Sequence, residues 1–170
     1  MTDKEFKIKR LTKESKRLQC AFAKEGGSSC HLKKHKWSAE MTDNVTVWKG
    51  KLLGPEGTPY ADQLYDLSLD YTKVNYPQKP PKVRFLKQIP YHANVYADGS
   101  ICVDILTTDW VPSYKTSDLM VSLVSLLNEP NTASPANAEA ARAYDADKSA
   151  DKIVFSGLAA AHYEKNRASS

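Results

Sequence analysis

Apolar side chains recur at helical spacing near the start of the chain. Within residues 4–24, Leu11, Leu18 and Phe22 fall on one side of a helix, and Lys and Arg residues occupy the other sides. This pattern predicts an amphipathic helix that covers a core with one face. The Gly-Gly-Ser-Ser sequence at 26–29 predicts its end.

The polar segment 30–36 predicts an exposed basic loop. It contains Cys30, His31 and His35, whose side chains are of types that bind zinc. Because no second pair of Cys residues follows at a zinc-like interval, we favour a basic loop over a structural zinc site.

Four runs of strand-like composition follow at short intervals. They cover residues 37–41, 45–53, 64–71 and 82–86. The connections are too short for parallel crossovers, so the runs predict an antiparallel meander.

From about Thr116 the pattern returns to a helical period. Apolar residues lie on nearly all sides of this segment, which predicts a central, buried helix: Leu119, Met120, Leu123, Val124, Leu126 and Leu127. Two further helices are predicted near 136–145 and 148–165, with a frayed tail at 166–170. The order predicts an α+β fold with an N-terminal helix, a four-stranded antiparallel meander, a central helix and two C-terminal helices.

Length and composition fit one domain, 1–170, in a protein of 170 residues. We see no apolar run able to span a bilayer and no charged-then-apolar leader, so we expect a soluble protein of the cytoplasm or nucleus, with no membrane partner. The three Cys residues lack a disulfide framework spacing, which suits a reducing compartment.

The net charge of +4 is concentrated in the first predicted helix, which is rich in Lys and Arg. No aromatic platform or Gly-rich basic repeat accompanies these charges. A solvated helix face or an acidic protein partner is therefore favoured over nucleic acid.

Cys102 lies eight positions after Asn94 in the segment YHANVYADGSICVDIL at 91–106. A thiol can carry an acyl group, and an amide can donate to the oxyanion that forms when the carbonyl is attacked. A lone Cys beside Ile and Val is more usually a small buried hydrophobic residue, and an Asn near a Gly is usually part of a turn.

Three further segments accompany the one at 91–106: YPQKPPKV at 76–83, WVPS at 110–113 and EPNTASPAN at 129–137. Together the four segments resemble motifs of the ubiquitin-conjugating enzymes, and the resemblance covers roughly residues 5–165. The segment at 91–106 resembles the family's active-site signature, with His-Ala-Asn in place of His-Pro-Asn. The others resemble its Tyr-Pro-x-x-Pro-Pro segment, its Trp-x-Pro loop and the loop before its third helix.

The resemblance implies that Cys102 accepts ubiquitin from an activating enzyme as a thioester. It implies that Asn94 either stabilises the oxyanion or supports the active-site loop, and that His92 braces this loop rather than acting as a base. Ala93, where the family has proline, relaxes the φ restriction and frees a backbone N–H.

Asp104, two residues after the thiol, is a candidate acceptor for the proton of an attacking lysine, or else a surface or loop carboxylate. The resemblance places Ser134 near the thiol, at a position where many family members have an acidic residue. Because Pro135 follows it, phosphorylation there is a hypothesis for how negative charge would be restored.

The implied partners are ubiquitin, an activating enzyme, a ubiquitin ligase and protein substrates, with no metal or bound cofactor. Contacts are implied on the first helix and on the loops at 77–79 and 111–113. Gln78 replaces a Phe found in some relatives, which favours a RING-type over a HECT-type ligase. The alternatives are an inactive ubiquitin-binding variant and a conjugating enzyme for another modifier such as SUMO.

Overall fold

The computed structural model describes residues 1–169. Five helices, four strands and one 3₁₀ turn follow in this order: α1 Asp3–Lys24, α2 Ser28–His35, β1 Trp37–Met41, β2 Val47–Leu53, β3 Leu64–Asp70, β4 Lys82–Phe85, the 3₁₀ turn Asp104–Leu106, α3 Thr116–Asn128, α4 Ala138–Ala146 and α5 Ile153–Ala168.

The four strands form one antiparallel sheet in the order β1-β2-β3-β4. Trp48 in β2 pairs with Met41 in β1 on one side and with Leu69 in β3 on the other. The predicted α+β fold and meander are confirmed, and the observed strands differ from the predicted ones by at most two residues at an end.

Alternate side chains of the strands are buried, and α3 covers the sheet at Gly50. A Cβ atom at Gly50 would lie 2.9 Å from Leu69 Cδ1 and 3.3 Å from Met120 Cε of α3. Leu119, Met120 and Leu123 are at most 1% exposed. The predicted central position of this helix is confirmed.

Helix α1 buries the predicted face, with Leu11 and Phe22 buried and Leu18 partly buried. Glu14 lies on the same face and is 4% exposed. Its carboxylate accepts two hydrogen bonds from Thr116, one from the backbone N–H and one from the hydroxyl, both at 2.9 Å. Helix α1 therefore fixes the start of α3.

The prediction of an irregular loop at 30–36 is wrong, because residues Ser28–His35 form α2. Gly27, with φ 107°, precedes the helix. His31 is buried between Phe22 and Trp37, with ring centroids 4.4 and 4.7 Å away. Contact with these two rings, which lie outside α2 in the sequence, stabilises a helix whose own residues have weak apolar periodicity.

The C-terminal helices are confirmed, but α5 begins at Ile153 instead of near 148. The predicted fraying of 166–170 is wrong for Asn166 to Ala168, which remain helical, and Ser170 lies outside the described residues. Among residues 1–169, no helix has both the length and the apolar character needed to cross a bilayer.

Candidate active site

The loop after β4 folds back on itself and so places Cys102 beside Asn94. Gly99, with φ 86°, makes the turn, and its carbonyl accepts a hydrogen bond from Phe85 N at 2.8 Å. A Cβ atom at Gly99 would lie 2.2 Å from Phe85 O, so only glycine fits there. Beyond the turn, Cys102 N donates to Asn94 O at 2.9 Å.

The buried amide of Asn94 joins this loop to the loop before α4. Asn94 Nδ2 donates to Asn131 O at 2.8 Å, and Asn131 N donates to Asn94 Oδ1 at 2.8 Å. Ala93 O accepts two further hydrogen bonds from the same loop. Asn94 thus supports the site structurally, and its amide retains a second N–H that could serve an oxyanion. Whether it does so in catalysis stays a prediction.

His92 uses both ring nitrogens within the fold. Asn94 N donates to Nδ1 at 2.9 Å, so the ring proton lies on Nε2, which donates to Leu126 O at 2.9 Å. Burial lowers the pKa of His92 to about 4, although the Leu126 hydrogen bond opposes this shift. The ring is therefore neutral at pH 7 and braces the loop, as expected from the sequence.

The Cys102 thiol is partly exposed in a cleft of about 290 Å³, which we call the active-site cleft. Ten residues line the cleft: Asn94, Cys102, Val103, Asp104, Ser122, Ser125, Leu126, Glu129, Asn131 and Ser134. Among these described residues are two carboxylates, Asp104 and Glu129, and no Lys or Arg. This composition favours an incoming cationic amine over an anion.

The structure brings together all three predicted catalytic residues, since Cys102, Asn94 and Asp104 line this cleft. Asp104 begins the 3₁₀ turn, where its backbone carbonyl accepts hydrogen bonds from Thr107 N and Asp109 N at 2.9 Å. Its carboxylate is exposed and makes no hydrogen bond within the described residues. The side chain is therefore available to a substrate.

Glu129 is a second carboxylate of the cleft that sequence reasoning missed. It opens the segment EPNTASPAN at 129–137, for which the resemblance predicted a connecting loop and a site-facing Ser134, but no role for Glu129. Ser134 lines the cleft, in agreement with that expectation. The approach of Glu129 to Cys102 appears only when the loop folds over the thiol.

The surfaces implied for protein partners are joined by hydrogen bonds. Trp110 Nε1 donates to Pro77 O at 2.8 Å, which connects the loop at 111–113 to the loop at 77–79. Arg10 of α1 donates to Tyr114 O at 3.0 Å. Helix α1 and both loops are thus held in one arrangement, with Gln78 and Val111 exposed.

Comparison with known proteins identifies related sequences. The sequence profile of the family described as "Ubiquitin-conjugating enzyme" matches residues 10–155. "Ubiquitin-conjugating enzyme E2 2" of Candida glabrata is 46% identical over 112 residues, which cover 66% of this chain and 66% of the relative. The protein of the same name from Saccharomyces cerevisiae is 46% identical over 112 residues, covering 66% of this chain and 64% of the relative.

"Ubiquitin-conjugating enzyme E2 1" of Caenorhabditis elegans is 46% identical over 110 residues, which cover 65% of this chain and 56% of the relative. The match thus spans slightly less than two thirds of the length of most of these relatives. Since the family profile extends over most of the sequence, the resemblance of its four motifs is confirmed: the chain belongs to the ubiquitin-conjugating enzyme family.

Proposed function

We propose that this chain is a ubiquitin-conjugating transferase that holds ubiquitin as a thioester on Cys102 and passes it to lysines with a ligase. One observation carries this proposal: a partly exposed thiol lies in a cleft beside the amide that anchors its loop. Family membership supplies the reaction class, and the cleft supplies residues suited to it.

In the first step, the Cys102 sulfur forms a bond to the C-terminal carbonyl carbon of activated ubiquitin. The bond from that carbon to the group supplied by the activating enzyme breaks, and this group leaves. The thiolate is the nucleophile. Because Cys102 N donates to Asn94 O, the backbone of the nucleophile is held by the same segment that carries the amide. The free N–H of the Asn94 side chain would stabilise the oxyanion.

The second step transfers ubiquitin to a substrate lysine. A lysine with a pKa of about 10.4 is almost wholly protonated at pH 7, so the attacking amine must lose a proton in the cleft. The carboxylate of Asp104 is the proposed acceptor, and Glu129 lines the same cleft. Both carboxylates would also attract the ammonium form before it reacts.

The ligase is proposed to be of the RING type and to bind the loops at 77–79 and 111–113. Exposed Gln78 offers a polar side chain where a HECT-type partner would gain from an apolar anchor. The hydrogen bond between Trp110 and Pro77 couples the two loops into one surface.

A charging assay with activating enzyme, ATP and ubiquitin tests the function. We expect a band shift on non-reducing gels that thiol reductant abolishes, followed by loss of the band when free lysine is added. Charging with another modifier but not with ubiquitin would move the chain to a sister pathway. Failure with every modifier would favour an inactive ubiquitin-binding variant.

A further inference from the structure

A cluster of Glu25, His31 and His35 lies where α1 meets α2, outside the active-site cleft. The carboxylate of Glu25 lies between the two rings: Oε2 is 2.6 Å from His31 Nδ1, and Oε1 is 3.0 Å from His35 Nε2. The three ligand atoms all lie within 4.8 Å of one another.

The fold holds this cluster in place from its buried side. His31 is 7% exposed and packs against the rings of Phe22 and Trp37. Gly27 N donates to Phe22 O at 2.7 Å, which fixes the turn between the helices. Glu25 and His35 are more accessible, with side chains 26% and 38% exposed, so an ion can enter from solvent.

The donor set matches a metal of the zinc class. Imidazole nitrogen and carboxylate oxygen are zinc ligands, and two His residues four positions apart on a helix share one face. Bonds of about 2.0–2.1 Å in tetrahedral geometry separate neighbouring ligand atoms by about 3.3 Å. The carboxylate now lies 2.6 Å from His31 Nδ1 through Oε2 and 3.0 Å from His35 Nε2 through Oε1, so it must move outward for an ion to enter, while all three ligand atoms already lie within 4.8 Å of one another.

The second ring nitrogen of His31 sets a cost for metal binding. Its Nε2 is buried and has no hydrogen-bond partner among the described residues. A metal on Nδ1 requires the ring proton on Nε2, so the bonds to the ion must outweigh the cost of a buried N–H without a protein acceptor.

Lys34 is the competing cation of this cluster. Its Nζ lies 3.2 Å from Glu25 Oε1, and its side chain is 66% exposed. Because this side chain is largely in water, it can move away when a divalent ion binds the carboxylate.

We propose that Glu25, His31 and His35 bind one divalent transition-metal ion, with Zn²⁺ as the preferred ion and the remaining coordination position open to solvent. The ion connects the end of α1 to α2. The proposal departs from the expectation from the sequence that the chain has no metal site. That expectation considered the segment 30–36 alone, and the third ligand, Glu25, lies outside it.

Calorimetric titration of Zn²⁺ into the full chain, prepared without a histidine tag and stripped of metal by a chelator, tests the proposal. We expect one ion per chain and binding at least about tenfold weaker in His35→Asn. His35 is exposed, so this variant should keep the fold, which circular dichroism checks. Glu25→Gln is expected to weaken binding similarly.

Two control variants complete the experiment. Lys34→Asn removes the competing cation and should bind Zn²⁺ as tightly as the native chain or more tightly. His162→Asn removes a His residue of α5 and should leave binding unchanged. Equal Zn²⁺ affinity in the native chain and in His35→Asn, or no binding by the native chain, would show that the cluster is an ion-pair network only and overturn the proposal.

Discussion

At the scale of single residues, Asn94 has two separable tasks. Its side chain makes two hydrogen bonds to the backbone of Asn131, and its backbone carbonyl holds Cys102 N. The first contacts fix a loop, whereas an oxyanion contact would be made only during the reaction.

We expect Asn94→Ala to lower the free energy of unfolding by about 1–3 kcal/mol, because Asn131 loses its partners. We also expect discharge of the thioester to free lysine to slow by about 10²–10³-fold, because the oxyanion donor is gone. Urea unfolding and single-turnover kinetics measure the two effects.

Tyr71→Phe is the matched control for Asn94→Ala. It removes a buried hydrogen bond, from Tyr71 to Thr116 at 2.8 Å, and Tyr71 does not line the active-site cleft. Its stability should fall by a similar amount while discharge stays at the native rate. A native discharge rate in Asn94→Ala would show that Asn94 has a structural role only.

His92 gives the protein a pH dependence of stability. Burial lowers its pKa from 6.5 to about 4, so between these values the unfolded chain binds a proton that the native chain does not. The free energy of unfolding should therefore fall as pH decreases from about 6.5 to about 4, by about 3 kcal/mol from this group.

The comparison for this pH effect is His92→Gln, whose amide supplies an N–H donor in place of the ring N–H but does not titrate. Urea unfolding at several pH values should show a shallower pH dependence for the variant. Parallel profiles for the two proteins would mean that His92 is already protonated in the native state or is not buried.

At the scale of elements, Glu14 connects helices that are distant in sequence. Its carboxylate accepts hydrogen bonds from Arg10 at 2.5 Å, from Tyr76 at 2.6 Å and twice from Thr116 at 2.9 Å. The bond from Thr116 N satisfies a backbone N–H at the start of α3, where the side chain of Lys115 makes no cap hydrogen bond.

Glu14→Ala should lower the free energy of unfolding by about 3–5 kcal/mol, because it leaves buried donors without an acceptor. Glu14→Gln retains an acceptor and should cost less. Urea unfolding of both variants measures the difference, and a loss below about 1 kcal/mol in Glu14→Ala would contradict this role for the carboxylate.

Periodicity predicted most elements but could not predict contacts between them. Leu11 and Phe22 reveal the buried face of α1, since apolar residues at helical spacing seek a core. The burial of Glu14 depends on Tyr76 and Thr116, which no local pattern connects to it. Helix α2 was missed for the same reason, because the rings that stabilise it lie outside its sequence.

The active-site cleft was also predicted only in part. The motif around Cys102 placed Asn94 and Asp104 near the thiol because all three lie on one short segment. Glu129 and Asn131 reach the cleft from another loop. A sequence motif orders residues along the chain, but the pairing of two loops appears only in three dimensions.

At the scale of the whole molecule, the single domain proposed for 1–170 predicts one cooperative unfolding transition. The three Trp residues report on tertiary structure, and circular dichroism reports on the helices. Urea transitions followed by the two probes should coincide. Separate midpoints would show that part of the chain, such as α4 and α5, unfolds independently.

The central claim is that Cys102 carries ubiquitin, and intact-mass spectrometry after charging tests it most directly. The chain offers a matched pair of variants, because Cys20 and Cys30 are free and exposed. The double variant Cys20→Ser, Cys30→Ser should gain the mass of one ubiquitin less one water, and thiol reductant should remove it. Cys102→Ser should show no adduct that reductant removes, and such an adduct in Cys102→Ser would contradict the account.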